Sequence, residues 1–260
     1  MNTNYEIYKE DSPFISLALH DGHFIPSNVL KHIKLKEHER FREEDPYTAY
    51  MANLPVNKVF VNTSRFYVDL NRLENQAIYK RPEDAWGLEV WKNEFPIELE
   101  EKQMAYYHEF YSEIEKFIKD IIHKHGYFII LDIHSYNHRR ENAFTLANEK
   151  ENPEINIGSE YNHPRWRPLI SNYATFLSKC IINNHHPDVR ENIKFKGGGF
   201  SQWVNQHYSE QGCVISIEFK KTFMDEWTGR GDIDHIRDIR QALRDSISFL
   251  TKNAQVALNS

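Results

Sequence analysis

The sequence predicts a three-layer α/β protein, with helices covering both faces of a central sheet. Three observations carry that reading. Short apolar runs alternate with long amphipathic stretches along the chain, as they do where strands and helices take turns. The runs FIILDI and VISIEF are dominated by apolar residues, as expected of central strands covered on both sides. Hydrophobic residues make up 40% of the 260, enough for a sizeable core in one large domain.

The strands come in order. FISLALH (14–20) opens the sheet, and KVFVN (58–62) and RFYVDL (65–70) follow as a pair. YFIILDIH (127–134), AFTLAN (143–148) and CVISIEF (213–219) complete it. Three helices lie between and after them. Residues 98–124 put Tyr107, Phe110, Ile114, Phe117, Ile118 and Ile121 on one stripe, with Glu and Lys opposite. Residues 164–184 form a second helix, beginning after Pro164. The last, 232–251, aligns Ile236, Ile239, Leu243, Ile247 and Leu250 behind Asp232 as N-cap. Those stripes are core faces. The charged and then aromatic segment 27–56 reads as a solvated helix leading into a loop over the sheet. No repeat or low-complexity linker interrupts the chain, so residues 1–260 read as a single catalytic domain.

Composition narrows the classes further. The net charge of −6 argues against a general nucleic-acid binder, which would carry a basic stripe. Two cysteines far apart, Cys180 and Cys213, make neither a disulfide framework nor a zinc ribbon and read as small buried residues. The N-terminal stretch MNTNYEIYKEDSPF lacks the pattern of a signal peptide, and no apolar run approaches the roughly 20 residues that span a bilayer. The expectation is a cytoplasmic protein with no membrane and no nucleic-acid partner; the sequence leaves its oligomeric state open.

In an open α/β sheet, ligands bind outside the carboxyl ends of the strands. Here those ends are chemically equipped. The first strand runs into LHDGHFIP, with His20 and His23. The second pair runs into VDLNR, with Asp69, Asn71 and Arg72. The strand at 127 ends in LDIHSYNHRR, with Asp132, His134, Ser135 and Asn137, and the last ends in SIEFKK, with Glu218 and Lys220. Taken singly, each has a plainer reading as a hydrogen-bonded structural residue or a surface ion pair. Together they are the parts of a zinc hydrolase that takes an anionic substrate.

The roles follow from the chemistry. Zinc takes about four N, O or S ligands, and a catalytic site keeps one place for water. His20, His23 and His134 would supply three imidazoles to a Zn2+ ion, which lowers the pKa of water from 15.7 to roughly 7. Glu218 and Arg72 are the candidate catalytic residues. Glu218 would move a proton from that water to the leaving nitrogen, and Arg72 offers a planar fork for a carboxylate. Asn71 and Ser135 join Arg72 as candidate substrate contacts. So do Gly198 and Gly199, whose loop would let the backbone approach the acyl group; a plain tight turn before a helix is the other reading. Asp132, two residues before His134, shares its side of the strand and would orient a ligand imidazole. HRR (138–140) reads as a solvated basic turn.

The order HxxH, DxNR, DxHS and a strand-end IEF resembles the N-formylglutamate amidohydrolase family, which is similar to the zinc carboxypeptidases and aspartoacylase. The resemblance runs from Phe14 to Lys220 and takes in EEDPYT (43–48) and GGGFSQW (197–203). It implies a phosphorylase/hydrolase-like fold with a mixed sheet, and hydrolysis of the amide bond of a small acidic N-acyl amino acid. By the resemblance, His20 and His134 match the two histidine ligands, Asn71 with Arg72 the carboxylate clamp, and Glu218 the general base. One position departs: His23 stands where carboxypeptidases carry the glutamate of HxxE. Asp45 of EEDPYT is the rival ligand, with Asp21 behind it.

Two other readings stay open. The same clamp could hold a peptide terminus, making the protein a carboxypeptidase-like or cell-wall peptide amidase, a reading to which the aromatics Tyr47, Trp203 and Trp227 lend some weight. A non-catalytic ligand-binding relative would keep the fold without turnover.

Overall fold

A computed structural model describes residues 4–258. In chain order the first elements are strand β1 (Tyr5–Tyr8), strand β2 (Phe14–Ala18) and three short helices, α1 (Ser27–Leu30), α2 (Glu37–Glu43) and α3 (Thr48–Met51). Strand β3 (Asn57–Val61), helix α4 (Glu100–His125), strands β4 (Phe128–Tyr136) and β5 (Ile155–Gly158) and helix α5 (Arg167–Leu177) follow. Strand β6 (Val189–Glu191), helix α6 (Gly199–Tyr208), strand β7 (Gly212–Lys220) and helix α7 (Ile233–Leu258) end the chain.

The strands form one mixed sheet in the order β1-β3-β2-β4-β7-β5-β6. The four central strands, β3, β2, β4 and β7, run parallel. β1 pairs antiparallel with β3 and β5 antiparallel with β7, while β6 runs parallel to β5 at the edge. From β2 the chain steps outward to β3, then returns over β2 to β4. The connections therefore leave in opposite directions between the carboxyl ends of β2 and β4, and such a reversal opens a crevice for ligands.

Both faces of the sheet are covered. Period-two alternation in β4 sends Phe128 and Ile130 toward α4 and α6, while Ile129, Leu131 and Ile133 pack with α3, α5 and α7. β7 alternates likewise: Val214 faces the first side, and Cys213, Ile215 and Ile217 face the second. Continuing the even positions past the apolar stretch puts Asp132, His134, Ser216 and Glu218 on the α4/α6 side of the sheet. The predicted stripe of 98–124 buries all six of its named residues, and Asp232 accepts the backbone N–H groups of Asp234 and His235 as an N-cap.

Several expectations are corrected. RFYVDL (65–70) is a buried turn rather than a strand. Phe66, Tyr67, Val68 and Leu70 still enter the core, but their carbonyls are met by side chains: Gln103 donates to that of Tyr67, and the Tyr111 hydroxyl to that of Leu70. The predicted strand AFTLAN (143–148) is an exposed loop, with Phe144 at 92% exposure. The helix expected over 164–184 begins as a 3-10 turn at Pro164–Trp166 and stops at Leu177. Segment 27–56 forms three short helices, and its acidic end is buried, with Glu44 and Asp45 almost inaccessible. Cys213 is buried, Cys180 only half so, and both are free thiols. No described helix is long and apolar enough to cross a membrane.

Candidate metal centre and substrate cleft

A cleft of about 290 Å³ opens at the carboxyl ends of the parallel strands. Its walls include His20, Asp45, Asn71, Arg72, His134, Ser135 and Glu218, with the backbone of Gly198 and Gly199. Each arrives by a local device. His20 follows the end of β2, where the turn is drawn tightly against the end of β3: a Cβ on Gly22 would lie 2.2 Å from the Asn62 carbonyl carbon. Only glycine permits that backbone approach. His134 and Glu218 are register partners on the neighbouring strands β4 and β7. Asp45 leaves the buried end of segment 27–56, where its backbone N–H donates to the His20 carbonyl at 2.9 Å.

Three buried side chains converge at the floor. The possible ligand atoms of His20, Asp45 and His134 all lie within 4.8 Å of one another, so this trio could hold a metal ion. Asp45 Oδ2 is 3.4 Å from His20 Nδ1 and 3.1 Å from His134 Nδ1. The other ring nitrogens face different carboxylates: His20 Nε2 is 2.7 Å from Asp69 Oδ1, and His134 Nε2 is 2.8 Å from Asp132 Oδ1. At His20 the Asp69 carboxylate favours the proton on Nε2 and leaves the Nδ1 lone pair inward; at His134 the Asn71 Nδ2 also comes within 3.3 Å of Nε2. The two Nδ1 atoms and a carboxylate oxygen then face one another. Acceptors so placed repel unless a proton or a cation lies between them, and two imidazoles with a carboxylate suit a divalent ion of the zinc type.

His23 is not part of this group. It is about a third exposed, with Nδ1 2.5 Å from Glu44 Oε2 and Nε2 3.1 Å from Arg40 Nη2. The carboxylate takes one nitrogen and the guanidinium takes the other. Asp45 stands in the position expected of His23, while Asp21 accepts the Ala49 N–H instead. Ser135 donates to Asp45 Oδ1 at 3.4 Å, so its hydroxyl supports the carboxylate of the trio.

Charge in the pocket is held by opposed effects. Burial alone would lift the Asp45 carboxyl, but hydrogen bonds from His134 and His20 outweigh it and hold the group far below the ordinary carboxylate range. Asp69 follows the same pattern, with His20 and Arg65 overcoming its burial. Burial opposes charge on His134 too, yet Asp132 and Asp45 raise it well above an ordinary imidazole. Glu218 goes the other way. Burial lifts its carboxyl to about 8; His134 works against the rise, and Asp45 and Asp132 add to it.

The Asn71–Arg72 pair is fixed by the glycine loop rather than by the sheet. Gly199 N–H donates to the Asn71 carbonyl at 2.7 Å, and Phe200 N–H to Asn71 Oδ1 at 3.2 Å, so Asn71 satisfies the opening turn of α6. A Cβ on Gly198 would fall 2.2 Å from Asn71 Oδ1, and one on Gly199 2.4 Å from the Arg72 carbonyl carbon. The close approach these glycines allow is therefore made to Asn71 and Arg72. The Tyr107 hydroxyl holds the Arg72 carbonyl from the other side, at 3.0 Å.

Sequence reasoning left Asp69 without a role, although its alternation with the core residues Val68 and Leu70 was a readable signal. Of the aromatics weighed earlier, Trp203 lines a separate groove of about 750 Å³ between the 73–80 segment, α4 and α6. Trp227 packs under Arg42, 4.2 Å from the guanidinium carbon, and Tyr47 donates to the Gly229 carbonyl. The tryptophan in the cleft wall is Trp86.

The N-formylglutamate amidohydrolase family profile matches residues 12–224. Among solved structures, an N-formylglutamate amidohydrolase from Ralstonia eutropha superposes with a TM-score of 0.73 at 14% identity, covering 96% of this chain and 99% of that one. A gene product of Agrobacterium tumefaciens superposes with a TM-score of 0.62 at 16% identity, covering 95% and 97%. At those identities the likeness speaks for the fold. No curated protein sequence matches the chain.

Proposed function

The chain belongs to the N-formylglutamate amidohydrolase family, and from that premise we propose that it is a zinc-dependent hydrolase of small N-acyl amino acids such as N-formylglutamate. The observation that carries the reading is the meeting of His20 Nδ1 and His134 Nδ1 at one oxygen of Asp45, in the same cleft as Arg72 and Glu218. The cleft volume, about 290 Å³, is at the small end for ligand pockets and suits a compact substrate.

His20, Asp45 and His134 would hold the ion. Zinc bound there would supply Lewis acidity toward water and the acyl carbonyl. This chain's own residues do the rest. Arg72 grips the substrate carboxylate, and Asn71, tied to the opening turn of α6, keeps that arginine in register. Asp69 and Asp132 keep the imidazoles turned. Glu218 takes a proton from water as its oxygen bonds to the acyl carbon, then delivers a proton to the amide nitrogen as the C–N bond breaks. A formyl substrate would yield formate and the free amino acid.

The test is release of formate from N-formylglutamate by zinc-loaded protein, with a chelator arm and short peptides alongside. Chelator-sensitive release is the expected result. A zinc-loaded protein that cleaves no member of an N-acyl amino acid panel refutes the proposal, and preference for peptides moves it to the carboxypeptidase-like reading.

A further inference from the structure

Three arginines line the cleft, and they are not equivalent. Arg65 is fully engaged: Nη2 donates to Asp69 at 2.8 Å, Nε to the Tyr79 hydroxyl at 3.0 Å, and Nη1 to the Glu43 carbonyl at 3.3 Å. It is structural. Arg72 keeps its fork open, since its nearest carboxylate oxygen, on Asp69, is 3.9 Å from Nε and the side chain is 38% exposed. Arg140 is the third. Its Nη1 alone binds both oxygens of Glu43, at 2.9 and 2.7 Å, and its side chain is 43% exposed. Among the described residues, nothing accepts from its Nε or Nη2.

Arg140 shares its counter-charge and keeps donors to spare. Glu43 is buried and also receives Arg42 at 2.8 Å, an arginine that has Glu226 as a second partner at 3.2 Å, so the Glu43 carboxylate holds Arg140 through Nη1 alone. The Arg140 fork is steadied over the Trp86 ring, 5.6 Å from its centroid, and Arg65 lies over the same ring at 4.8 Å. Three residues before Arg140, Asn137 is buried in the cleft wall with its Oδ1 unpartnered. Among the described residues, its amide group makes no hydrogen bond at all. A buried amide without partners is costly unless something else completes it.

Position separates this pair from the first clamp. Arg72 comes from the segment after β3 and Arg140 from the segment after β4, and those strands flank β2 on opposite sides. Two open forks thus enter one small cleft from the two sides of the strand that delivers His20.

We propose that Arg140, with Asn137, forms a second anion subsite that reads a side-chain carboxylate of the substrate, and so selects N-acyl dicarboxylic amino acids over neutral ones. The proposal rests on the amidohydrolase reading above. Arg72 takes the carboxylate common to all amino acids, and Arg140 takes the one that distinguishes an acidic side chain. Glu43 is the positioning partner that presents Nη2 and Nε to the cleft.

The experiment compares kcat/KM for N-formylglutamate and N-formylglutamine in the wild-type protein, Arg140→Gln and Arg140→Lys. A hydrogen-bonded charge pair is worth roughly 1.5–3 kcal/mol, so the glutamate-to-glutamine preference is expected to fall by about 10- to 100-fold in Arg140→Gln. Arg140→Lys keeps a cation for Glu43 but loses the open fork, and it should lose most of the preference as well. A wild type without preference, or a preference that survives both substitutions, overturns the proposal. So does an equal loss on both substrates accompanied by weaker zinc binding, which would mark Arg140 as a prop for the 43–45 loop. A parallel arm titrates both compounds into zinc-loaded Glu218→Gln protein, with and without Arg140→Gln, by calorimetry. If the wild type hydrolyses neither compound, the amidohydrolase reading fails, while selective binding of the glutamate compound that needs Arg140 still upholds the subsite; equal binding sinks it.

Discussion

His20 and His23 stand three residues apart on one turn, and each has a carboxylate within 2.7 Å of a ring nitrogen. Their second nitrogens decide what they are. His20 turns Nδ1 toward Asp45, beside a second imidazole doing the same, in a pocket closed to all but 3% of its surface. His23 turns Nε2 toward the Arg40 guanidinium at 3.1 Å, on a face open to solvent. A guanidinium brings positive charge and donors, so it satisfies that lone pair and repels a cation. Opposed acceptors at His20 instead create a demand for one. Two histidines on one turn are thus not equivalent, and the partner of the second ring nitrogen sets the difference.

The largest effect should come from breaking the His20 side. His20→Ala or His134→Ala removes one of the three proposed ligands, and zinc affinity should drop about 10³-fold or more, read by metal analysis and chelator competition. Near-stoichiometric zinc in either variant would dissolve the distinction between the two ends of the turn. Zinc uptake by the wild type should also release protons and weaken as pH falls, because His134 is held protonated well above its ordinary range by Asp132 and Asp45.

Glu218→Gln comes next. It should retain zinc and lose about 10²–10⁴ in kcat, the usual worth of acid–base catalysis. Its stability signature has the opposite sign. In the unfolded chain Glu218 ionises near its ordinary 4.5; in the metal-free fold, burial lifts it to about 8. Between those values the folded state holds a proton that the unfolded state has lost. The metal-free wild type should therefore lose stability as pH rises through that window, by at most about 1.4 kcal/mol per unit. Glu218→Gln should flatten that slope in urea melts, and a slope unchanged by the substitution counts against the buried carboxyl.

The strands that position this site were legible because both of their faces are apolar. β2, β3, β4 and β7 announced themselves, as did the amphipathic α4 and α7. β1, β5 and β6 are three or four residues long at the sides of the sheet and too short to show a period. RFYVDL misled because alternation reports which residues are buried, not who satisfies the backbone, and here side chains of α4 do so. His20, His134 and Glu218 were readable at strand ends, Asn71 and Arg72 at the end of an expected strand that is a turn, and all five share one cleft. Asp45 and Arg140 were harder, since each lies in a charged run that looks solvated. Only tertiary pairing of Glu43 with two arginines, and of Asp45 with two histidines, turns those runs inward.

A subtler change sharpens the comparison from the His20 side. Asp69→Asn leaves the ligands in place but weakens the group that keeps the His20 proton on Nε2. Loss of such a supporting carboxylate costs roughly 10- to 100-fold in metal affinity. Zinc competition should show that loss with the fold intact by circular dichroism, and an affinity within twofold of wild type would mean that Asp69 serves Arg65 and Tyr79 alone.

The smallest effect belongs to His23. His23→Gln removes the imidazole from Glu44, but that buried carboxylate keeps the Ser64 hydroxyl, with Arg40 3.8 Å away. Glutamine can donate a hydrogen bond in its place, so a cost of about 1 kcal/mol in denaturant melts is expected. Zinc affinity and turnover should stay within about threefold of wild type, since none of the three proposed ligands hydrogen-bonds to His23. Its substitution does disturb a neighbour of Asp45 in the chain, and that makes the measurement informative. Lys221, whose Nζ donates to the carbonyls of Arg42 and Glu44 at 2.7 and 2.6 Å, holds that loop independently of His23. If zinc is lost with His23 all the same, the loop depends on this imidazole to present Asp45, and the two ends of the turn act as one site.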